Sequence, residues 1–310
     1  MLKKRALRKM LLTTFSVFTL LVICVIPSKV EENYLNPKID IEYVTSLGTN
    51  EIYLLGSNKY LVKTNVLLNE QTIETKIKSI IEYLTINKSE KLPVGLKGVI
   101  PDTTVLNSVV VNEGVATLDF SKELLNVTKN LEERVIEAIV YSVTNLNEIK
   151  GVTILINGER IEKLPQSGKQ LPEVITRDFG INKVYDIDNR NGIQKVTLYY
   201  LDDINNNRYY VPVTKYMNDD REKINIIIDQ LSSNYIYDSN LISLLREDTE
   251  LINYQIEDEL MLLNFNNNIF NSEKLLEEVS YSLAYSIFDN YNVNTVLLET
   301  NGKEVIKIER

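Results

Sequence analysis

The feature that most constrains this chain is an internal duplication. Residues 50–165 can be laid over residues 195–310 at an offset close to 145. Ile52-Tyr53-Leu54 falls near Leu198-Tyr199-Tyr200, and Leu118-Asp119-Phe120 matches Leu263-Asn264-Phe265. Ile156-Asn157-Gly158-Glu159 falls near Thr300-Asn301-Gly302-Lys303. A chain that repeats its order of elements must build one architecture twice, so two domains are expected from 310 residues.

In the first copy, residues 51–56 and 60–68 are rich in β-branched and aromatic residues and flank Ser57-Asn58, which predicts a hairpin. Ile73, Ile77, Ile80, Ile81 and Leu84 then make a single apolar stripe at helical spacing. A second hairpin turns at Asn112-Glu113-Gly114. Asn130 with Glu133 three residues on suggests the start of a helix whose stripe runs through Leu131, Val135, Ala138, Ile139 and Leu146. Residues 152–156 form a last strand closed by Asn157-Gly158.

The second copy repeats this plan with a hairpin across 203–207 and a helix presenting Ile224, Ile227, Ile228 and Leu231. Its second hairpin turns at 257–259, a helix is expected from about 272 to 288, and the strand 294–299 closes the chain. Each copy therefore reads β-β-α-β-β-α-β. The expected class is α+β, each copy being one sheet with two helices packed on one face. Residues 166–191 lack a sustained period and are expected to be a linker, leaving 192–310 as the second domain.

Residues 10–26 are an uncharged run of 17 behind a basic arm, just enough to cross a bilayer. Lys3, Lys4, Arg5, Arg8 and Lys9 hold that arm in the cytosol, which predicts a transmembrane signal anchor over 1–26, a juxtamembrane spacer over 27–49 and an exported body. A cleaved signal and a lipidated Cys24 are the competing readings. Ile23 occupies the place before Cys24 where a lipoprotein signal carries a small residue.

The first ten residues hold five of the 34 bases, which leaves 29 against 43 acids in the body, a balance of −14. Such a body repels nucleic-acid phosphates, so protein partners or self-assembly are expected, and membrane contact only through the N-terminal segment. With no His and one Cys in the chain, Ser-His-Asp and Cys-His catalysis, His- or Cys-cluster zinc and an internal disulfide are excluded. The remaining candidates for acid/base or metal chemistry are Asp202-Asp203, Asp219-Asp220 and 257–259. The first lacks the Gly and Glu of a calcium loop and is better explained as a turn. The second is better explained as helix capping, and the third as a solvated turn. No catalytic, cofactor or metal residue is expected, and the chain is read as a non-enzyme.

With these elements placed, the chain resembles a tandem of GerM domains, a module of sporulation and spore germination proteins. The resemblance rests on Val99-Ile100-Pro101-Asp102-Thr103-Thr104, on Val115 to Phe120, on Glu137 to Thr144 and on Lys150 to Gly158. In the second copy it rests on Leu198-Tyr199-Tyr200 and Arg208 to Val213. There Ser243, Arg246 and Glu259 replace Gly98, Pro101 and Gly114, so a different turn or a longer loop is expected at 257–259. Such domains are similar to ring-building motifs. The resemblance implies an envelope scaffold that assembles laterally or in rings, set at the forespore if the organism sporulates. A ligand-sensing or enzyme-accessory envelope module using a cleft between the domains is the alternative. Among 18 Tyr residues, Tyr281 and Tyr285, spaced i, i+4 on the last helix, are the interface candidates.

Overall fold

The computed structural model describes residues 51–88, 92–233, 240–271 and 274–310, and the backbone of 42–44. The expected anchor at 1–26, with Cys24, lies outside the described residues. Among those described, no helix is long and apolar enough to cross a membrane.

The first copy runs through β2 (Glu51–Leu55), β3 (Leu61–Asn65), α1 (Ile73–Leu84), β4 (Leu106–Asn112), β5 (Val115–Phe120), α2 (Lys129–Val143), β6 (Gly151–Ile156) and β7 (Glu159–Arg160). The second runs through β9 (Ile193–Ile204), β10 (Asn207–Asn218), α3 (Lys223–Ser232), β11 (Leu251–Glu257), β12 (Leu260–Phe265), α4 (Glu277–Asn290), β13 (Thr295–Thr300) and β14 (Lys303–Glu309). A short β1 (Glu42–Val44) pairs parallel with β14, and β8 (Val184–Asp186) lies between the copies. The two copies thus share one order of elements, and each gains a return strand after the expected last one.

The pairing departs from a single sheet per copy. Strands β4-β5-β6-β7 form one sheet and β1-β14-β13-β12-β11 another, while the first hairpins of both copies meet in a third. The reason is the weakness of a lone hairpin, which is marginal in water. Here β3 pairs antiparallel with β10 at Lys63 and Tyr210, so each hairpin finds a third strand in its counterpart. The helices consequently lie between two layers: α2 touches both β2 and β6, and α4 touches β9, β13 and β14. That placement explains why α2 is buried almost all round, with Val135, Ile136, Ala138, Ile139, Val140 and Val143 each inaccessible to solvent. Each Val and Ile among them contributes about 1.5–3 kcal/mol by burial.

Local details repeat with the fold. Both outer hairpins close with a two-residue loop, Asn112 pairing Val115 and Glu257 pairing Leu260, and both carry an irregularity at the equivalent place, between Leu106 and Ser108 and between Leu251 and Asn253. The turn at 257–259 therefore has the same length as its counterpart. Asp258 takes the left-handed conformation (φ 52°) that Glu113 takes in the first copy, which Asp tolerates because its short side chain bonds locally. Asn157-Gly158 and Asn301-Gly302 are both left-handed turns. In each, an acceptor on the preceding parallel strand receives the glycine N–H: Asp119 Oδ1 at 2.8 Å and Asn264 Oδ1 at 3.1 Å.

Helix starts differ from expectation. The second helix of the first copy begins at Lys129 after Thr128, and Glu133 instead binds Lys183 at 2.6 Å. The last helix begins at Glu277. The first helix of the second copy begins after Glu222, and Asp219 accepts from the Arg221 backbone N–H and guanidinium without capping it. An arginine two residues on competes for that carboxylate more strongly than a backbone amide does.

Residues 166–191, expected to be a linker, are tied into both copies. Glu132 accepts the N–H groups of Gln166 and Ser167 at 2.7 Å. The buried Glu137 carboxylate meets Arg134, Lys183 and the Asn182 N–H. Asn182 is itself fully buried. Its side-chain amide bonds the Leu61 N–H (2.9 Å) and C=O (2.8 Å) and reaches the Pro212 C=O (2.7 Å). It thereby takes the place of a strand residue between β3 and β10.

Candidate functional junction

The two copies meet through a buried polar cluster. Tyr53 on β2 and Tyr199 on β9 occupy equivalent positions, and their hydroxyls lie 3.1 Å apart. The strand N–H of each is held by a helix serine of its own copy, Ser142 Oγ for Tyr53 and Ser286 Oγ for Tyr199, both at 2.9 Å. Both serines are buried. Two strands presented at the same distance from equivalent helices therefore bring two tyrosine tips face to face.

Two cations complete the cluster. Arg177, from the short helical turn Arg177–Phe179 between the copies, forms an ion pair with the buried Asp289 of α4 and bonds Asn145 Oδ1 and the Tyr141 carbonyl. Its guanidinium lies 4.8 Å from the centre of the Tyr141 ring. Tyr199 donates to the other Asp289 oxygen at 2.8 Å. Burial alone would raise the Asp289 carboxyl, but Arg177 and Arg310 outweigh it and hold it below the usual carboxylate range. Lys63 of β3 pairs with Glu51 of β2 at 2.7 Å, both nearly inaccessible, and its ammonium sits 3.1 Å from the centre of the Tyr285 ring. Burial lowers the Lys63 ammonium to about 8, against the opposing pull of Glu51. Burial likewise raises the Tyr53 hydroxyl to about 12 despite Arg177.

A cleft of about 660 Å³ opens over this cluster. Arg177, Asp289 and Lys63 lie at its wall, with Lys150, Asn292 and Arg310 among its other lining residues.

The interface candidates lie beside the junction. Tyr285 packs on Tyr199 (5.1 Å between centres) and Tyr210 (5.2 Å), so its ring is engaged within the chain. Tyr281 stacks on Tyr285 at 5.7 Å and is half-buried. The acidic pairs disperse. Asp202 is buried and accepts from Asn58 at 3.0 and 3.1 Å, Asp203 pairs with Arg208 across the hairpin, and the turn at 257–259 is exposed at Glu257 and Asp258. Among the described residues, no three His, Cys, Asp or Glu side chains come together to hold a metal.

Sequence reasoning did not find Arg177, Asp289, Lys63 or Glu51. Arg177 stands in the segment expected to be a linker. The available signal was the pair of equivalent tyrosines, Tyr53 and Tyr199, which the repeat alignment places together.

The fold and junction define a class: a tandem module whose two copies share a sheet and bury a polar contact between them. The family described as Germane, sporulation and spore germination, matches residues 51–162 and 197–306, and the chain belongs to it. The chain is 29% identical over 279 residues to the spore germination protein GerM of Bacillus subtilis, covering 87% of this chain and 76% of that protein. The solved tandem GerMN domains of the same Bacillus subtilis sporulation protein superpose with a TM-score of 0.78 at 28% identity, covering 84% of this chain and 97% of that one.

Proposed function

We propose that the protein is a membrane-anchored scaffold of the cell envelope that acts in sporulation or germination by lateral or ring-type assembly with protein partners. The observation that carries the reading is family membership across both copies, together with sheets that, among the described residues, end in unpaired strands. Strands β4 and β11 each close one side of their sheets and expose Val110, Ile252 and Ile256. Open edges of this kind add a further strand from another chain. Contacts made head to tail close into rings where the rotation fits. The half-buried Tyr281, at the outer end of the tyrosine stack, is the aromatic candidate for such a contact, with Tyr285 supporting it from inside.

The uncharged run at 10–26 behind its basic arm supports a single-pass anchor with the body outside the cytosol. Protease added to intact protoplasts is expected to remove both copies and leave the basic arm, and the protein is expected at the forespore envelope only during sporulation. Constant expression in growth, or an ectodomain that stays monomeric and captures no envelope protein, overturns the scaffold reading.

A further inference from the structure

We propose that the cleft between the two copies is a binding site for a small hydroxylated anion, its charge met by Lys150 and Arg310 and its hydroxyl groups by side-chain amides. The inference stands apart from the scaffold reading and rests on how the charges of the cleft are spent. At about 660 Å³ the cleft has the size of a small-molecule site. Each acidic side chain in its lining already has a cation: Glu51 is held by Lys63, Asp289 by Arg177, and Asp178 by Lys195 at 2.5 Å. The last of these cations comes from outside the lining.

Two lining bases remain, Lys150 and Arg310, the second sharing the Asp289 carboxylate with Arg177. Lys150 is exposed and takes no part in those pairs. Arg310 gives one N–H to the Phe288 carbonyl at 3.3 Å and stands 3.7 Å from Asp289, a carboxylate that Arg177 and Tyr199 already occupy. A guanidinium carries five donors, so Arg310 has several to give.

Lys150 belongs to the first copy and Arg310 to the second, and both line the same cleft. The exposed amides of Asn147 and Asn292 line the same cleft. An amide both donates and accepts, as a hydroxyl does. The rest of the body carries a surplus of acid, so an anion is repelled elsewhere and concentrated here.

The test is calorimetric titration of the full-length chain with glucuronate, with glucose 6-phosphate and with uncharged glucose. At least one of the two anions is expected to bind and glucose is not, and a preference between the anions assigns carboxylate or phosphate as the group recognised. Lys150→Ala and Arg310→Ala are each expected to weaken binding about tenfold or more. Lys303→Ala, on β14 and outside the lining, is expected to leave it unchanged. Circular dichroism checks that the variants fold, and Lys150→Ala carries the test alone if Arg310→Ala does not, because the Lys150 side chain is exposed. Absence of binding by both anions, equal binding of glucose, or full affinity in folded Lys150→Ala overturns the proposal.

Discussion

The two copies solve one structural problem with different chemistry at equivalent places. In the first, the end of α2 presents Tyr141 and Ser142, and the turn just after it Asn145; in the second, α4 presents Tyr285, Ser286 and Asp289. The serines do the same work, each holding the N–H of a strand tyrosine at 2.9 Å. The ring of each helix tyrosine receives a cation, Arg177 over Tyr141 and Lys63 over Tyr285. At the third position the symmetry breaks. Arg177 makes a 3.4 Å contact with the neutral Asn145 and an ion pair with Asp289. One guanidinium thus spans equivalent sites in the two copies and is charge-compensated by only the second. The comparison teaches that the duplicated backbone sets the positions and that the asymmetry between the copies lies in which of them supplies the counter-charge.

The largest way to break both halves at once is alkaline pH. The Tyr53 hydroxyl is raised from 10.0 to about 12 in the folded chain, with Tyr141, Tyr199 and Tyr285 also raised by burial. A phenol that keeps its proton longer when folded contributes stability that is full below pH 10 and is lost as pH rises toward 12. Denaturant titrations are expected to show stability falling steeply in that window. Lys63 acts with the opposite sign: lowered from 10.5 to about 8, it makes the unfolded chain bind more protons between those values. Its contribution therefore rises with pH from about 8 to 10.5. Below pH 10 this rise should vanish in Lys63→Met, and its persistence there would assign it to another group.

Next in size is the counter-charge. Asp289→Ala leaves Arg177 buried without its ion partner and is expected to cost about 3–5 kcal/mol. Asn145→Ala, removing a long neutral contact, is expected to cost about 0.5–1.5 kcal/mol. Equal losses in chemical denaturation would show that the two sites are energetically alike and the asymmetry superficial.

The smallest expected difference, that between the two serines, sharpens the symmetric part. Ser142→Ala and Ser286→Ala each leave a buried strand N–H without its partner, at about 1–3 kcal/mol, and the two losses should agree within about 0.5 kcal/mol. A difference well beyond that would show that one copy relaxes around the missing hydroxyl.

The repeat was legible because its markers are local. Asn157-Gly158 and Asn301-Gly302 announce left-handed turns, and the stripe of Ile77, Ile80, Ile81 and Leu84 announces a buried helix face. The junction was not legible, because it depends on β3 finding β10, a pairing set by tertiary competition for strand edges and not by either strand's pattern. Arg177 and Asn182 sit in a stretch without periodicity, where hydrogen bonding to distant strands, and not repeat spacing, fixes the backbone. The tyrosines at 281 and 285 were found by helical spacing. The contact of Tyr285 with Lys63 and Tyr199 was hidden for the same reason as the junction itself.

The central claim is that the two copies form one unit through this junction, so that a scaffold presents both in a fixed relation. Hydrogen exchange on the intact chain tests it most directly. The Leu61 N–H, bonded to Asn182 Oδ1 at 2.9 Å, and the Tyr53 and Tyr199 N–H groups are expected to exchange only through global unfolding, with the same free energy as the most protected amides of α2 and α4. Fast exchange at Leu61 while both helices stay protected would show that the copies separate readily, and would contradict the account.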